Sequence, residues 1–205
     1  MGAMEKLFIK VCGLRTERDV DTAVEAGADA IGFVFARSPR LVDADTAARL
    51  ARRVPEHVLT VGVFRDQPVD EVRRLADRSG VRGVQLHGDE GPEHYAALRR
   101  EGVTLIRGTA YREPAPRGGE LGEDLLLLDA PVPGSGSTWD WTGLDLAALG
   151  GRWLLAGGLN PRNVQEAVRS VRPWGVDVSS GVESSRGVKD PALITAFVEA
   201  ARSAD

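Results

Sequence analysis

Apolar and polar positions alternate in short blocks along this chain, and the blocks predict a repeated succession of strand and helix. Phe8-Ile9-Lys10-Val11-Cys12 reads as a strand stopped by Gly13-Leu14. Residues two apart on a strand share a face, so Ile9 and Val11 point to an apolar layer while Lys10 and Cys12 point together to the other side. Thr16-Glu17-Arg18-Asp19 then opens a helix with an N-cap and early acids. Val20, Ala23, Val24 and Ala26 give it an apolar face, and Gly27 ends it. The continuous apolar run at 30–35 predicts a strand covered on both faces.

The same alternation continues. Helices are predicted at 43–54, capped by Asp43 or Asp45, at 69–78 before Gly80, and at 92–100 with proline near the start. Strands are predicted at 58–64, 83–87, 103–109 and 125–129, the last being all leucine until Asp129. Residues 111–123 are rich in proline and glycine and carry little helical signal. A short helix at 144–149, a strand at 152–156, a helix at 161–171, a strand at 175–178 and a closing helix at 191–202 complete the chain.

Eight strands with helices between most of them call for a parallel α/β sheet with crossover helices, and eight units suit a closed (β/α)8 TIM barrel. A doubly wound open sheet is the alternative. The placement of chemistry argues for the barrel. Cys12, His87, Asp129, Gly157-Gly158 and Ser179-Ser180-Gly181 all fall where a strand ends and a loop begins, and barrel enzymes gather their active site on that face. No domain boundary or linker interrupts 5–205, which is expected to form one catalytic domain, while Met1-Gly2-Ala3-Met4 resembles a scar of expression ahead of the native start.

Composition narrows the function classes. A net charge of -4 gives no basic footprint for nucleic acid, and no apolar run is long enough to span a bilayer. With one cysteine there is no internal disulfide, which fits a reducing cytoplasm. The three histidines have no metal-ligand spacing, so no metal is expected, and His57 and His94 read as surface residues. Lysine occurs only at 6, 10 and 189, which makes Lys10 and Lys189 conspicuous.

The candidate chemistry lies on the loop face. A lone cysteine is usually just a small buried hydrophobe, but a thiol beside an inward lysine on a barrel strand is a candidate base. Asp129 has no helix to cap, since Ala130-Pro131 follows, and a carboxylic acid at an apolar rim suits a general acid. Lys10 and Asp177 sit on the first and eighth strands, neighbours in a closed barrel, and are expected to pair, with Lys10 favouring the thiolate of Cys12. Gly134-Ser135-Gly136, Gly157-Gly158 and Ser180-Gly181 are three late loops whose amides could cradle a phosphate. Arg40 is placed for carboxylate recognition, and Gln85 and His87 share the inward face of the fourth strand.

Taken together, Lys10-Val11-Cys12-Gly13-Leu14, Gly32-Phe33-Val34-Phe35 with Ser38-Pro39-Arg40, and Val84-Gln85-Leu86-His87-Gly88 resemble phosphoribosylanthranilate isomerases of tryptophan biosynthesis. So do Leu127-Leu128-Asp129, Gly134-Ser135-Gly136 with Asp140-Trp141, Ala156-Gly157-Gly158-Leu159 and Asp177-Val178-Ser179-Ser180-Gly181-Val182-Glu183. The resemblance implies a compact barrel whose fifth helix is shortened or replaced by a loop, matching 111–123. It implies an Amadori rearrangement of N-(5-phosphoribosyl)anthranilate without a cofactor, with Asp129 as acid and Cys12 as base. Arg40, Gln85 and His87 would hold the anthranilate, the late glycine loops the phosphate, and Lys10 and Asp177 would support the base. It favours a monomer over a dimer. Many relatives have tyrosine and lysine where this chain has Ala36 and Arg37, and Pro133 and Ser137 replace a glycine and a lysine of the phosphate loop. The rival readings are the histidine-pathway sugar isomerase or a dual-substrate version, a chemistry that uses an aspartate where this chain has Cys12, a phosphate-binding barrel epimerase or synthase, and a non-catalytic barrel that binds a phosphosugar or a partner enzyme.

Overall fold

The computed structural model describes residues 6–131, 139–141 and 143–204. Eight parallel strands close into a barrel in sequence order: β1 (Phe8–Cys12), β2 (Ala30–Val34), β3 (Leu59–Phe64), β4 (Gly83–Leu86), β5 (Thr104–Ala110), β6 (Leu125–Asp129), β7 (Trp153–Leu155) and β8 (Gly175–Val178). The open-sheet alternative is excluded by β1 pairing with both β2 and β8. The helices are α1 (Glu17–Ala26), α2 (Ala44–Ala51), α3 (Val69–Ser79), α4 (Pro92–Leu98), α5 (Leu146–Leu149), α6 (Val164–Val171) and α7 (Pro191–Arg202). No helix joins β5 to β6; residues 111–124 make the crossover as turns.

Local signals set most boundaries. Thr16 caps α1 by accepting from the Asp19 amide, and Gly27 ends it in the left-handed region at φ 93°. Asp43, rather than Asp45, caps α2 through the Thr46 amide. α6 starts later than the predicted 161, because Asn160 and Asn163 tie the turn together: the Asn160 amide donates to Asn163 Oδ1, and Asn163 Nδ2 donates to Gly158 O.

The pleat divides the interior into two cores. Ile9, Val11, Leu126, Leu128, Val176 and others pack outward beneath the helices. Cys12, Val34, Val63, Ile106, Leu127 and Leu154 pack inside the barrel. One strand pair went unforeseen. After a 3-10 turn at Ser180–Val182, β9 (Glu183–Ser185) and β10 (Val188–Lys189) form an antiparallel hairpin. Its polar, glycine-containing sequence has none of the apolar alternation that announces a strand.

Among the described residues no helix is long and apolar enough to cross a membrane.

Candidate active site

The strand ends deliver their inward side chains to one cavity at the C-terminal face, of about 230 Å³. Cys12, Arg40, Gln85, His87, Asp129, Gly157, Gly158, Asp177 and Ser180 line it. Lys10 lies beneath as a fully buried residue, and Gly181 is not among the lining residues. Gly134, Ser135 and Gly136, together with Pro133 and Ser137, lie outside the described residues.

Cys12 comes from β1, where the strand phase that buries Ile9 and Val11 outward turns the thiol inward. Two residues below it, Lys10 is the register partner of Asp177 on β8. Lys10 Nζ donates to Asp177 Oδ1 at 2.7 Å, and its charge acts on the Cys12 thiol above it. Burial is the largest single effect on Lys10 and opposes its charge, but Asp177 and Cys12 together outweigh it, so the lysine is held above its ordinary pKa. Lys10 acts on the thiol in the expected direction, but the net shift of Cys12 is upward. Burial pushes the Cys12 pKa up; Lys10 and Lys189 pull it down, Asp177 adds to the rise, and the net direction is upward. Lys10 does favour the thiolate in sign, yet desolvation of a charge inside an apolar barrel is the larger effect.

Asp129 ends β6 after two inward and two outward leucines, and the same alternation turns it into the mouth. Its Oδ1 accepts from the Ala130 amide at 2.8 Å, so the carboxyl folds back over its own following peptide rather than capping a helix. Its Oδ2 lies 3.3 Å from His87 Nε2. His87 Nδ1 is 2.8 Å from Gln85 Nε2, which makes a chain from Gln85 through His87 to the acid. The Gln85 side-chain oxygen is buried without a hydrogen-bond partner among the described residues. Sequence reasoning placed Gln85 and His87 on one inward face but did not foresee the contact with Asp129, which depends on the barrel bringing β4 and β6 to the same mouth. Gly157 makes the acid's placement sterically feasible. Its φ is +83°, and a β-carbon there would come within 2.4 Å of the Ala130 amide nitrogen and 2.8 Å of Asp129 Oδ1.

Arg40 carries the least expected contact. Its Nε and Nη2 donate to Glu183 Oε1 and Oε2 at 2.6 and 3.0 Å, a bidentate pair across 143 residues. Glu183 Oε1 also accepts from Lys189 Nζ at 2.9 Å, and Lys189 in turn donates to Ser179 O at 2.7 Å. Burial works against the Glu183 charge, yet the hydrogen bonds from Arg40, Gly187 and Lys189 overcome it and hold its pKa at about 2. Desolvation lowers the Lys189 pKa against the pull of Glu183. Glu183 and Lys189 were without a role in the sequence reading. The rarity of lysine pointed to Lys189, and Glu183 closed the stretch from Asp177 that carried part of the family resemblance.

Among the described residues no group of three or more His, Cys, Asp or Glu could hold a metal ion. What the arrangement offers is a buried thiol, a carboxyl in contact with a histidine, a paired guanidinium, and the loops at Gly157-Gly158 and Ser180 facing one volume. Those are the elements of acid-base chemistry on an anionic small molecule.

Comparison with known proteins agrees with this picture. The sequence pattern of the family described as PRAI, N-(5'phosphoribosyl)anthranilate (PRA) isomerase, matches residues 9–200. The chain is 43% identical over 202 residues to an N-(5'-phosphoribosyl)anthranilate isomerase from Desulforudis audaxviator, covering 96% of this chain and 98% of that one. It superposes on the crystal structure of TrpF from Jonesia denitrificans with a TM-score of 0.87 at 46% identity, covering 97% and 98% of the two chains. A phosphoribosyl anthranilate isomerase in complex with reduced 1-(o-carboxyphenylamino)-1-deoxyribulose 5-phosphate superposes with a TM-score of 0.82 at 32% identity, covering 96% and 99%. Matched by the family pattern from β1 into α7, and by relatives above 40% identity over nearly the full length of both chains, the chain belongs to the N-(5'-phosphoribosyl)anthranilate isomerase family.

Proposed function

We propose that this chain catalyses the Amadori rearrangement of N-(5-phosphoribosyl)anthranilate in tryptophan biosynthesis, with Asp129 as general acid and Cys12 as general base. That it is an isomerase of this class follows from its family; the residue roles are the proposal. Asp129 donates a proton to the ribose ring oxygen as the bond from C1 to that oxygen breaks, and the anilino nitrogen lone pair forms the C1=N bond of a Schiff base. The Cys12 thiolate then takes the proton from C2. The C2–H electrons become the C1=C2 bond of an enolamine, and the electrons of the C=N bond return to nitrogen. Transfer of the enol proton to C1 yields the ketone, 1-(2-carboxyphenylamino)-1-deoxyribulose 5-phosphate.

The observation that carries this reading is the single cavity lined by Cys12, Asp129, Arg40 and the Gly157-Gly158 and Ser180 loops. Arg40, with Gln85 and His87, receives the anthranilate end, and Gly157, Gly158, Ser180 and Gly181 receive the phosphate with Gly134, Ser135 and Gly136. Lys10 and Asp177 support Cys12 from below through their 2.7 Å pair.

The test is the loss of anthranilate fluorescence from substrate generated in place. The unmodified protein consumes it, and Cys12→Ser and Asp129→Asn each reduce turnover by at least about a hundredfold. Full turnover by Cys12→Ser would overturn the mechanism. Failure of the unmodified protein to consume the substrate would redirect the assay to the histidine-pathway aminoaldose.

A further inference from the structure

The Arg40 side chain is held by groups that the reaction itself does not require. Its guanidinium has five N–H donors in a planar fork. Glu183 engages the edge made by Nε and Nη2, and the end-on edge, made by Nη1 and the second N–H of Nη2, faces away from that pair. The arginine stem is fixed as well: a β-carbon at Gly13, next to Cys12, would lie 2.6 Å from Arg40 Cδ. Glu183 is itself over-determined. It stands at the start of β9, accepts from the Gly187 amide at 2.9 Å across the hairpin turn, and accepts from Lys189 on β10. Gly187 has φ +82°, and a β-carbon there would come within 2.9 Å of Pro39 O, so the hairpin turn seats against the loop that carries Arg40.

The charges matter as much as the geometry. Glu183 and Lys189 are nearly inaccessible, with side-chain exposures of 4% and 0%, while Arg40 keeps 18% and lines the cavity. An arginine paired with one carboxylate is a neutral unit and attracts a second carboxylate weakly. Here two cations flank one carboxylate, which leaves one positive charge in a poorly solvated place.

We propose that Glu183 and Lys189 are positioning residues for carboxylate recognition. Glu183 grips one edge of the Arg40 guanidinium and turns the other towards the cavity. Lys189 cancels the Glu183 charge, so Arg40 meets the substrate carboxylate as a full cation. Lys189 also ties this arrangement to the Ser179 carbonyl, and thereby to the Ser179-Ser180 loop on the phosphate side. The inference rests on the reading that Arg40 receives the anthranilate carboxylate.

Steady-state kinetics on Arg40→Met, Glu183→Gln, Lys189→Met and Lys189→Arg test it, with kcat and KM measured separately and inorganic phosphate as a competitive inhibitor. Glu183→Gln and Lys189→Met are expected to raise KM about tenfold, the scale of one charge-assisted hydrogen bond, and to leave kcat within about twofold. Lys189→Arg, which keeps the charge, restores most of the KM. The inhibition constant for phosphate stays within about twofold in Glu183→Gln, because only the carboxylate end is disturbed. An unchanged KM in both variants, a loss in kcat alone, or a phosphate constant that weakens in step with KM in Glu183→Gln would overturn the proposal. If Glu183→Gln does not fold, the contrast between Lys189→Met and Lys189→Arg decides. If Arg40→Met leaves KM unchanged, the carboxylate reading itself fails and the proposal falls with it; if Arg40→Met raises KM and the other variants do not, only the positioning role fails.

Discussion

Asp177→Asn perturbs the buried pair beneath Cys12 at one end only, and its consequences have opposite signs for stability and for thiol reactivity. Lys10 is fully buried and loses its 2.7 Å partner, and leaving one member of a buried pair uncompensated costs roughly 3–5 kcal/mol. For a chain of this length that is a fall in Tm on the order of 10 °C. The thiol responds the other way, because the negative charge of Asp177 is one of the causes raising the Cys12 pKa. Asp177 is in register with Lys10, and Cys12 lies two residues further along β1. Two strand residues rise about 6.6 Å and adjacent strands lie about 4.8 Å apart, so the carboxylate acts over about 8 Å. At an effective dielectric of about 20 that interaction is about 2 kcal/mol, more than tenfold in thiolate fraction. Lys10, freed from Asp177, then has the thiolate as its remaining counter-ion.

Cys12 is the only cysteine, so alkylation by iodoacetamide followed by mass spectrometry reports it alone. At pH 7.5, Asp177→Asn is expected to react roughly tenfold faster than the unmodified protein once accessibility is matched. Lys10→Met is expected to react more slowly, having lost the cation that favours the thiolate. The double variant Lys10→Met/Asp177→Asn recovers much of the stability that either single change removes, because no lone charge is left buried. An alkylation rate that is unchanged or slower in Asp177→Asn would refute the electrostatic coupling. A double variant less stable than both single variants would refute the account of the buried pair.

With Cys12 in its proposed role as base, its raised pKa predicts that kcat/KM climbs with pH and is still rising near pH 8.5; a plateau below neutrality would contradict that role. The Glu183 pKa, held at about 2 against an ordinary 4.5, makes its ionised form a source of stability that is complete above pH 4.5 and disappears as pH falls through 2. Chemical unfolding of the unmodified protein and Glu183→Gln should therefore differ by up to roughly 3 kcal/mol at pH 6, with the gap closing below pH 4.5. Gly157→Ala forces a left-handed backbone and a contact with the Asp129 peptide, and is expected to cost roughly 1–3 kcal/mol in thermal unfolding and to depress kcat. Thr16→Ala removes the cap that accepts from the Asp19 amide, and should lower stability by about 1 kcal/mol while leaving kcat unchanged.

The sequence alone determined the strand and helix succession, because burial selects apolar residues at a period of two on strands and 3.6 on helices. It also determined which side chains face the barrel interior. Once Ile9 and Val11 are assigned outward, Lys10 and Cys12 have no other side, and the leucines of β6 fix the direction of Asp129 in the same way. Helix ends at Thr16, Gly27 and Gly80 followed from residues whose caps act within one turn. What the tertiary structure decided depends on distances that close across the chain. The Glu183 grip on Arg40 spans 143 residues and arises on a polar hairpin that no periodicity marks. His87 meets Asp129 because the barrel gathers β4 and β6 at one mouth. The protonation of Cys12 is likewise a property of the closed barrel: Lys10 alone argues for a thiolate, but the water excluded around the sulfur, which no single strand can exclude, outweighs it.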